Sequence, residues 1–560
     1  MDAKTSGDKT YTYTTCVCVE PSSDDEDRVS QGHPSVLKPI FQTPPEAPMN
    51  DSLLQPLNDE VHLPVASPND SLEKLSEGEG PLLGIQEPAR TRRYRLAKQV
   101  LMFLGVSVSH IAQLGMTLTW PNVLASDFQH DNTTIYGSSL HLQDWQMDMM
   151  GSMVYIGSLP GYVVAGWLAR RQGRRWSMVM ATVPGLLGWG LIALSLNTHM
   201  IIVGRFLTGL AMGLATVSVR IYLAEIADTE IRGAAGMIAS AMLEFGGLVT
   251  ISVGMLLPWY HIAFLVIVIL LTFCVFIAPF LPESPMYLAI SNRDAEARQV
   301  LLSLRGNYVD LDKEISLLKE ENKQVEGRYS WDALLKPFIL KRILIVTGIF
   351  CISNFCGTEV IRANVTRMLQ TTGMALNKDL STILVFVLTL GGNLTMTMTI
   401  DRLGRRRCLV ASLALLVVAY SVLGLTICLT QNPAVLYDTS SAPGQGVEYS
   451  QDVGHSRALA VEDWLPAACL MVAALAISLG VGPIPWVVSP EFFPTAIRSQ
   501  AMSVCTIIGC LIAVIPLQLY SLMQAILTQA GLYWTYACVS MLGIIFTITC
   551  VPETGRKKIW

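Results

Sequence analysis

Beyond residue 96 the chain repeatedly runs for about 20 residues with almost no charge, the length a helix needs to cross a hydrocarbon layer. Such runs are expected near 97–120, 147–169, 176–196, 198–221, 234–257, 260–281, 341–366, 380–400, 407–430, 464–488, 500–524 and 529–551. Lipid offers no partner to an unpaired N–H or C=O, so these runs must be helices. Composition agrees: the 560 residues are 51% hydrophobic and 15% charged, against about 25% charge in soluble domains. The spacing predicts an all-α integral membrane protein of twelve spans, six on each side of one long polar segment. The expected boundaries are a disordered acidic tail over 1–96, a first half over 97–282, a linker with short helices over 283–340, a second half over 341–551 and a short tail over 552–560. A duplicated layout of this kind suits a transporter whose two halves enclose a mid-membrane site.

Orientation follows from the cations. Arg90, Arg92, Arg93, Arg95 and Lys98 precede span 1; Arg170, Arg171, Arg174 and Arg175 follow span 2; Arg402, Arg405, Arg406 and Arg407 follow span 8. All three clusters fall on one side, which the positive-inside rule makes cytosolic, together with both termini. The opposite side receives the 121–146 loop with Asn132-Thr133-Thr134, so Asn132 is the expected glycosylation acceptor. The plasma membrane is the expected location, with an endosomal or vesicular membrane as the alternative.

The net charge of −5 reflects the acidic first 90 residues and marks no partner for the body of the molecule. That tail, rich in Ser, Asp, Glu and Pro, is expected to be disordered and available to cytosolic partners. Of twelve cysteines, Cys16 and Cys18 lie in the tail and the other ten in or beside spans, where they serve as small buried hydrophobes. Nothing in the spacing suggests a catalytic residue, a metal site or a cofactor. The expected partners are the lipid bilayer and a small polar solute, not nucleic acid, and no enzymatic activity is expected.

Two motifs repeat between the halves. After span 2 the chain reads Gly166-Trp-Leu-Ala-Arg-Arg-Gln-Gly-Arg-Arg175, and after span 8 Asp401-Arg-Leu-Gly-Arg-Arg406. Each sets a Gly turn and cations between two helix ends, where a carboxylate or a helix C-terminus can hold the guanidinium groups. Further along stand Gly204-Arg205-Phe206, Tyr222-Leu-Ala-Glu225, Arg232-Gly233, Pro282-Glu-Ser-Pro285, Gly482-Pro-Ile-Pro-Trp486, Glu491, Arg498 and Pro552-Glu-Thr554. In this order over residues 95–556 the motifs resemble those of the sugar porter family of the major facilitator superfamily. Asp144-Trp145 after the first external loop is similar to the insect trehalose and sugar facilitators. The resemblance implies a major facilitator fold and alternating access.

Glu225, Arg232, Asp401, Arg405, Arg406, Glu491 and Arg498 fall at cytosolic helix ends of both halves and can pair across them as the gating network the resemblance implies, with ordinary surface charges as the plainer alternative. Such a network biases two states through the contacts that differ between them. In span 10, Gly482, Pro483 and Pro485 interrupt the helix. Trp486 there presents a flat apolar face suited to stacking on a sugar ring, with lipid contact as the plainer alternative.

The amides with which the family holds sugars are largely replaced. On the neighbouring Gly residues, the span 5 glutamine position carries Ser240, the paired span 7 glutamines Ser353 and Asn354, the next asparagine Glu359, the span 8 asparagine Thr389, and the span 11 pair Gly509 and Cys510. Intramembrane charge appears instead: Glu244 in span 5, Glu359 and Arg362 three apart in span 7, and Arg220 where span 4 usually has proline. Such groups are functional candidates, although Glu359 and Arg362 can simply neutralise each other and Arg220 can belong to the cytosolic network. Thr117 stands where proton-coupled relatives place an aspartate. His110 can titrate near neutral pH, or serve as a bonded core residue. Substrate contacts are therefore expected from Trp486, Pro485, Pro483, Gly482, Asn354, Glu359, Thr389 and Ser240. The expected function is a facilitative sugar or polyol transporter. A porter of charged organic solutes, a proton-coupled symporter and a non-transporting sensor or scaffold remain as alternatives.

Overall fold

The computed structural model describes residues 89–128, 133–228, 231–306, 310–326, 334–371, 378–431, 464–493 and 497–553. Every one falls in the unit Ala66–Trp560. The tail up to residue 88, Asn132, and the side chains of Arg232, Asp401 and Arg498 lie outside the described residues.

Twelve helical spans follow one another: α1 over 89–127, α2 Asp144–Gln172, α3 Arg174–Ala193, α4 Thr198–Ile226, α5 Arg232–Gly254, α6 Trp259–Phe280, α7 Pro337–Thr371, α8 Lys378–Leu403, α9 Arg405–Gln431, α10 over 465–491, α11 Arg498–Gln518 and α12 Tyr520–Cys550. Eleven are long and apolar enough to cross a membrane; in α5 the described apolar stretch is the shorter Ala239–Gly254. Three linker helices, Pro285–Ile290, Asp294–Arg305 and Leu311–Glu326, separate the halves in sequence.

Helix α1 starts at Ala89, ahead of the apolar run, because its polar first turns have partners. Arg95 pairs with Asp228, and the Gln99 amide donates to the Leu304 carbonyl at 2.7 Å, so the linker holds the helix where hydrocarbon would not. Helix α11 stops at Gln518 rather than near 524. Pro516 lies in its last turn, Leu519 has ψ near 5°, and Thr528 at φ 61° breaks α12. Residues 520–527 therefore form a separate turn at the end of the bundle opposite the Arg motifs, here termed the far end.

Three spans are interrupted where they border the bundle centre. In α1 a π-turn spans Ser107–Ala112. Helix α7 breaks between Phe355 and Thr358 at Gly357, whose φ of 86° suits glycine. In α10 a π-turn over Ile477–Val481 leads into Gly482-Pro483, and the helix resumes at Ile484. Side chains repair the freed backbone, as hydrocarbon requires. Ser412 Oγ accepts from the Val481 amide at 3.1 Å and donates to the Ala476 carbonyl at 2.6 Å, while Ser353 Oγ donates to the Val481 carbonyl at 2.9 Å.

Within the halves, α2 and α3 pack along α4, and α9 along α12. At the α2–α4 crossing a Cβ on Gly157 would stand 2.1 Å from the Phe206 carbonyl, and one on Gly209 2.2 Å from that of Val154, so only hydrogen fits at either place. Arg205, fully buried, ties three spans of the first half. Its Nε donates to the Met150 carbonyl and its Nη1 to the Thr117 carbonyl, both at 2.7 Å, and the guanidinium lies 5.3 Å from the Trp120 ring centroid. Charge-assisted bonds are worth about 1.5–3 kcal/mol each. Arg205→Ala is therefore expected to lower the thermal midpoint of the detergent-solubilised protein by several degrees; an unchanged midpoint would show that the tie is idle.

The halves meet along α1–α7, α2–α11 and α5–α8, a pairing that repeats across the duplication.

Candidate functional site

At the far end the two halves are sealed by polar contacts. Asp148 of α2 accepts from Arg367 Nη1 at 2.7 Å, from the Ser521 amide at 2.8 Å and from Ser521 Oγ at 2.9 Å. Asn122 of α1 donates to the Arg362 carbonyl at 2.7 Å and accepts from the Thr366 amide at 3.1 Å, filling two α7 backbone positions. Ser152 donates to Gln518 at 2.6 Å, and Ser126 to Asp379 at 3.0 Å.

Below this seal lies a cavity of about 470 Å³, bordered by α1, α2, α4, α5, α7, α8, α10 and α11. That volume falls within the ~300–1,000 Å³ of small-molecule sites. Its polar groups sit in two places. One is a charged cluster: Arg362 reaches Glu244 at 3.0 Å and Glu359 at 3.3 Å, and the Tyr155 hydroxyl donates to Glu359 at 2.5 Å. The cluster joins α5 and α2 of the first half to α7 of the second. The Glu359–Arg362 pair expected from spacing is present, and Glu244 completes it from 118 residues away. The other place is Arg220, whose guanidinium lies 5.1 Å from the Trp486 ring centroid. Trp486 stands just beyond the α10 break, edge-on to Phe350 at 5.1 Å between centroids.

Gly482, Pro483, Ser240, Glu359 and Trp486 border the cavity, as do Glu244, Arg362, Arg220 and His110. Three expected substrate contacts are placed elsewhere. Asn354 donates to the carbonyls of Phe350 at 2.9 Å and Gly509 at 3.3 Å, joining α7 to α11. Pro485 is buried behind the break, its carbonyl accepting from Ser489, and Thr389 turns back onto the Phe386 carbonyl at 2.9 Å. Each is drawn off the cavity by a nearby backbone acceptor or by packing. His110, 3% exposed, lies edge-on to Phe273 at 4.3 Å, with Nε2 3.3 Å from the Met178 carbonyl, which fits the core reading of this residue. Tyr155, Tyr162, Asn393 and Ser478 also border the cavity. Tyr155 and Tyr162 are seven apart on α2 and so share one face, a spacing that could have marked them. Asn393 and Ser478 carry no such signal.

At the motif end the described side chains of Glu225, Arg405, Arg406 and Glu491 bond within their own half, and the two arrangements repeat; the side chains of Arg232, Asp401 and Arg498, the rest of the expected cross-half network, lie outside the described residues. Gly173 and Gly404 adopt φ of 94° and 92°, tight turns that aim the first amides of α3 and α9 at a carboxylate. Glu283 Oε1 accepts from the Arg174 amide at 2.8 Å, and Glu553 Oε1 from the Arg405 amide at 2.9 Å. Glu553 also accepts from the Arg406 amide at 3.2 Å. The Arg174 side chain reaches Glu225 at 2.7 Å, and Arg405 reaches Glu491 at 3.1 Å. Charged helix ends are thus neutralised locally, and the described bonds joining the halves gather at the far end and in the cavity.

Two six-span halves, sealed at one end around a shared cavity, have the build of a membrane transporter. The chain belongs to the sugar (and other) transporter family, whose model matches residues 106–559. It is 28% identical over 464 residues to the facilitated trehalose transporter Tret1 of Culex quinquefasciatus, covering 82% of this chain and 84% of that one. Against the Tret1 of Anopheles gambiae the identity is 27% over 491 residues, covering 87% of this chain and 58% of the longer relative. The fold matches the inward open conformation of the xylose transporter XylE from E. coli, with a TM-score of 0.62 and 19% identity, over 83% of this chain and 98% of that one.

Proposed function

We propose that the protein moves a sugar or related small polar solute across the membrane by alternating access, without proton coupling. The observation that carries this reading is the cavity shared by both halves, closed at the far end by Asp148–Arg367 and floored by the α10 break and Trp486. Loss of the far-end contacts, with new contacts at the motif end, would present the same cavity to the other side. Thr117, which bonds within α1 to the Gln113 carbonyl at 2.9 Å, offers no carboxylate for proton coupling. The insect relatives named for trehalose make a disaccharide the first solute to test.

The Arg-rich motif end is read as cytosolic, the plasma membrane as the location, Asn132 as an external glycosylation acceptor and the tail as a site for cytosolic partners. In liposomes, labelled trehalose or hexose is expected to equilibrate at a rate that a pH gradient leaves unchanged. Trp486→Ala is expected to cut that rate more than about tenfold, the loss of roughly one stacked ring, with membrane insertion intact. Absence of flux for every sugar and polyol would sink the transport reading, and full activity of Trp486→Ala would remove Trp486 from the solute path.

A further inference from the structure

Every carboxylate bordering the cavity has a partner: Glu244 and Glu359 share Arg362, and Glu359 also holds the Tyr155 hydroxyl. Two carboxylates and one guanidinium leave that cluster one formal negative charge. Arg220 is the opposite case. Among the described residues no acid lies within 4.0 Å of it; its guanidinium lies over the Trp486 ring, and Tyr162 is its electrostatic neighbour. Glu225, five residues further on α4, is already held by Arg174 at 2.7 and 2.9 Å and by Ser284 Oγ, so Arg220 does not join the motif-end charges.

The Arg220 side chain is exposed to the cavity, so its guanidinium is open to a solute. Stacking on an indole occupies its face and leaves the N–H edge free, the edge that binds a carboxylate in bidentate fashion. The cavity therefore has a positive place with no acidic partner among the described residues and a negative place whose oxygens accept hydrogen bonds. The Glu244–Glu359 pair already contains a cation, so the negative place calls for hydroxyl donors rather than for an ammonium.

We propose that Arg220 seats the carboxylate of the cargo against Trp486, and that the preferred solutes are hydroxylated carboxylates of the sugar-acid class, their hydroxyls donating toward Glu244 and Glu359. This deepens the transport reading by naming the solute class, and it rests on that reading only for the movement of the solute, not for its binding.

The test uses the full chain in detergent at neutral pH, with tryptophan fluorescence or scintillation proximity reporting binding of D-glucuronate, D-glucose and D-glucosamine, three near-isosteres of charge −1, 0 and +1. Glucuronate is expected to bind at least about tenfold tighter than glucose, the effect of one well-placed charge-assisted bond, and glucosamine weakest. In Arg220→Gln the preference for glucuronate should collapse to within about twofold, and in Arg220→Lys, which keeps the charge but loses the fork, part of it should return. Equal binding of glucuronate and glucose by the wild type overturns the proposal, as does a preference that survives in Arg220→Gln. Should the glutamine variant fail to fold, the wild-type ratio decides alone. Glucose flux with no glucuronate binding refutes this inference and leaves the transport reading standing, whereas glucuronate binding without flux of any solute does the reverse.

Discussion

Arg362→Ala is expected to abolish uptake and to destabilise the protein by about 3–5 kcal/mol, the cost of breaking a buried ion pair from one side. Arg362 lies between Glu244 and Glu359, whose side chains are 6% and 16% exposed, and its removal leaves two carboxylates facing each other with no cation between them. The loss should come from repulsion as much as from missing bonds. The triple change of Arg362→Ala with Glu244→Gln and Glu359→Gln is therefore expected to regain most of the thermal midpoint while uptake stays low. A midpoint for Arg362→Ala within one degree of the wild type would show that the cluster does not hold α5 and α2 to α7.

The second large effect belongs to the far end. Asp148, 1% exposed in its side chain, gathers Arg367 and both donors of Ser521. Asp148→Ala removes all of these contacts and leaves the half-buried Arg367 with only Asp144 at 3.7 Å as a counter-charge, a penalty of about 3 kcal/mol that falls only on the state in which this end is closed. Such a difference shifts a two-state equilibrium on the order of 100-fold. Ser152, fully buried between α2 and α11, is a suitable reporter. A cysteine placed there should react with an impermeant maleimide far faster when Asp148 is also alanine. Equal labelling rates would mean that Asp148 does not hold the seal.

The sequence made the spans legible because a hydrocarbon layer tolerates only long apolar helices, and the break in α10 because Gly482, Pro483 and Pro485 cannot continue a helix; the α7 break at Gly357, a single glycine, was not legible. The repeated Gly-Arg motifs announced the duplication. Partner choice was not legible. Glu359 and Arg362 are three apart and could be paired from spacing, but Glu244 reaches Arg362 only once α5 packs against α1 and α8. Asp148 and Arg367, 219 residues apart, stood at span ends where charge attracts no notice.

The partners of the described motif-end charges were not legible for a related reason. Their composition gives three acids and four bases but not the half in which each pair closes, and the turns at Gly173 and Gly404 decide that locally. The replaced amides pointed to a changed site, yet only the geometry separated Arg362, which is neutralised, from Arg220, which is not. Asn354 and Thr389 are expected as solute contacts on the family resemblance alone, and a neighbouring carbonyl holds each away from the cavity.

The central claim is that one cavity between two halves opens alternately at either end, and paired distance measurements test it most directly. Spin labels at Gln172 and Leu403 report the motif end, and labels at His141 and Thr371 the far end; all four residues are exposed. Without solute the far-end pair is predicted to be short and the motif-end pair long. Saturating solute should then populate a second state in which the first distance grows as the second shrinks. Two distances that stay fixed, or that change in the same direction, would contradict alternating access in this protein.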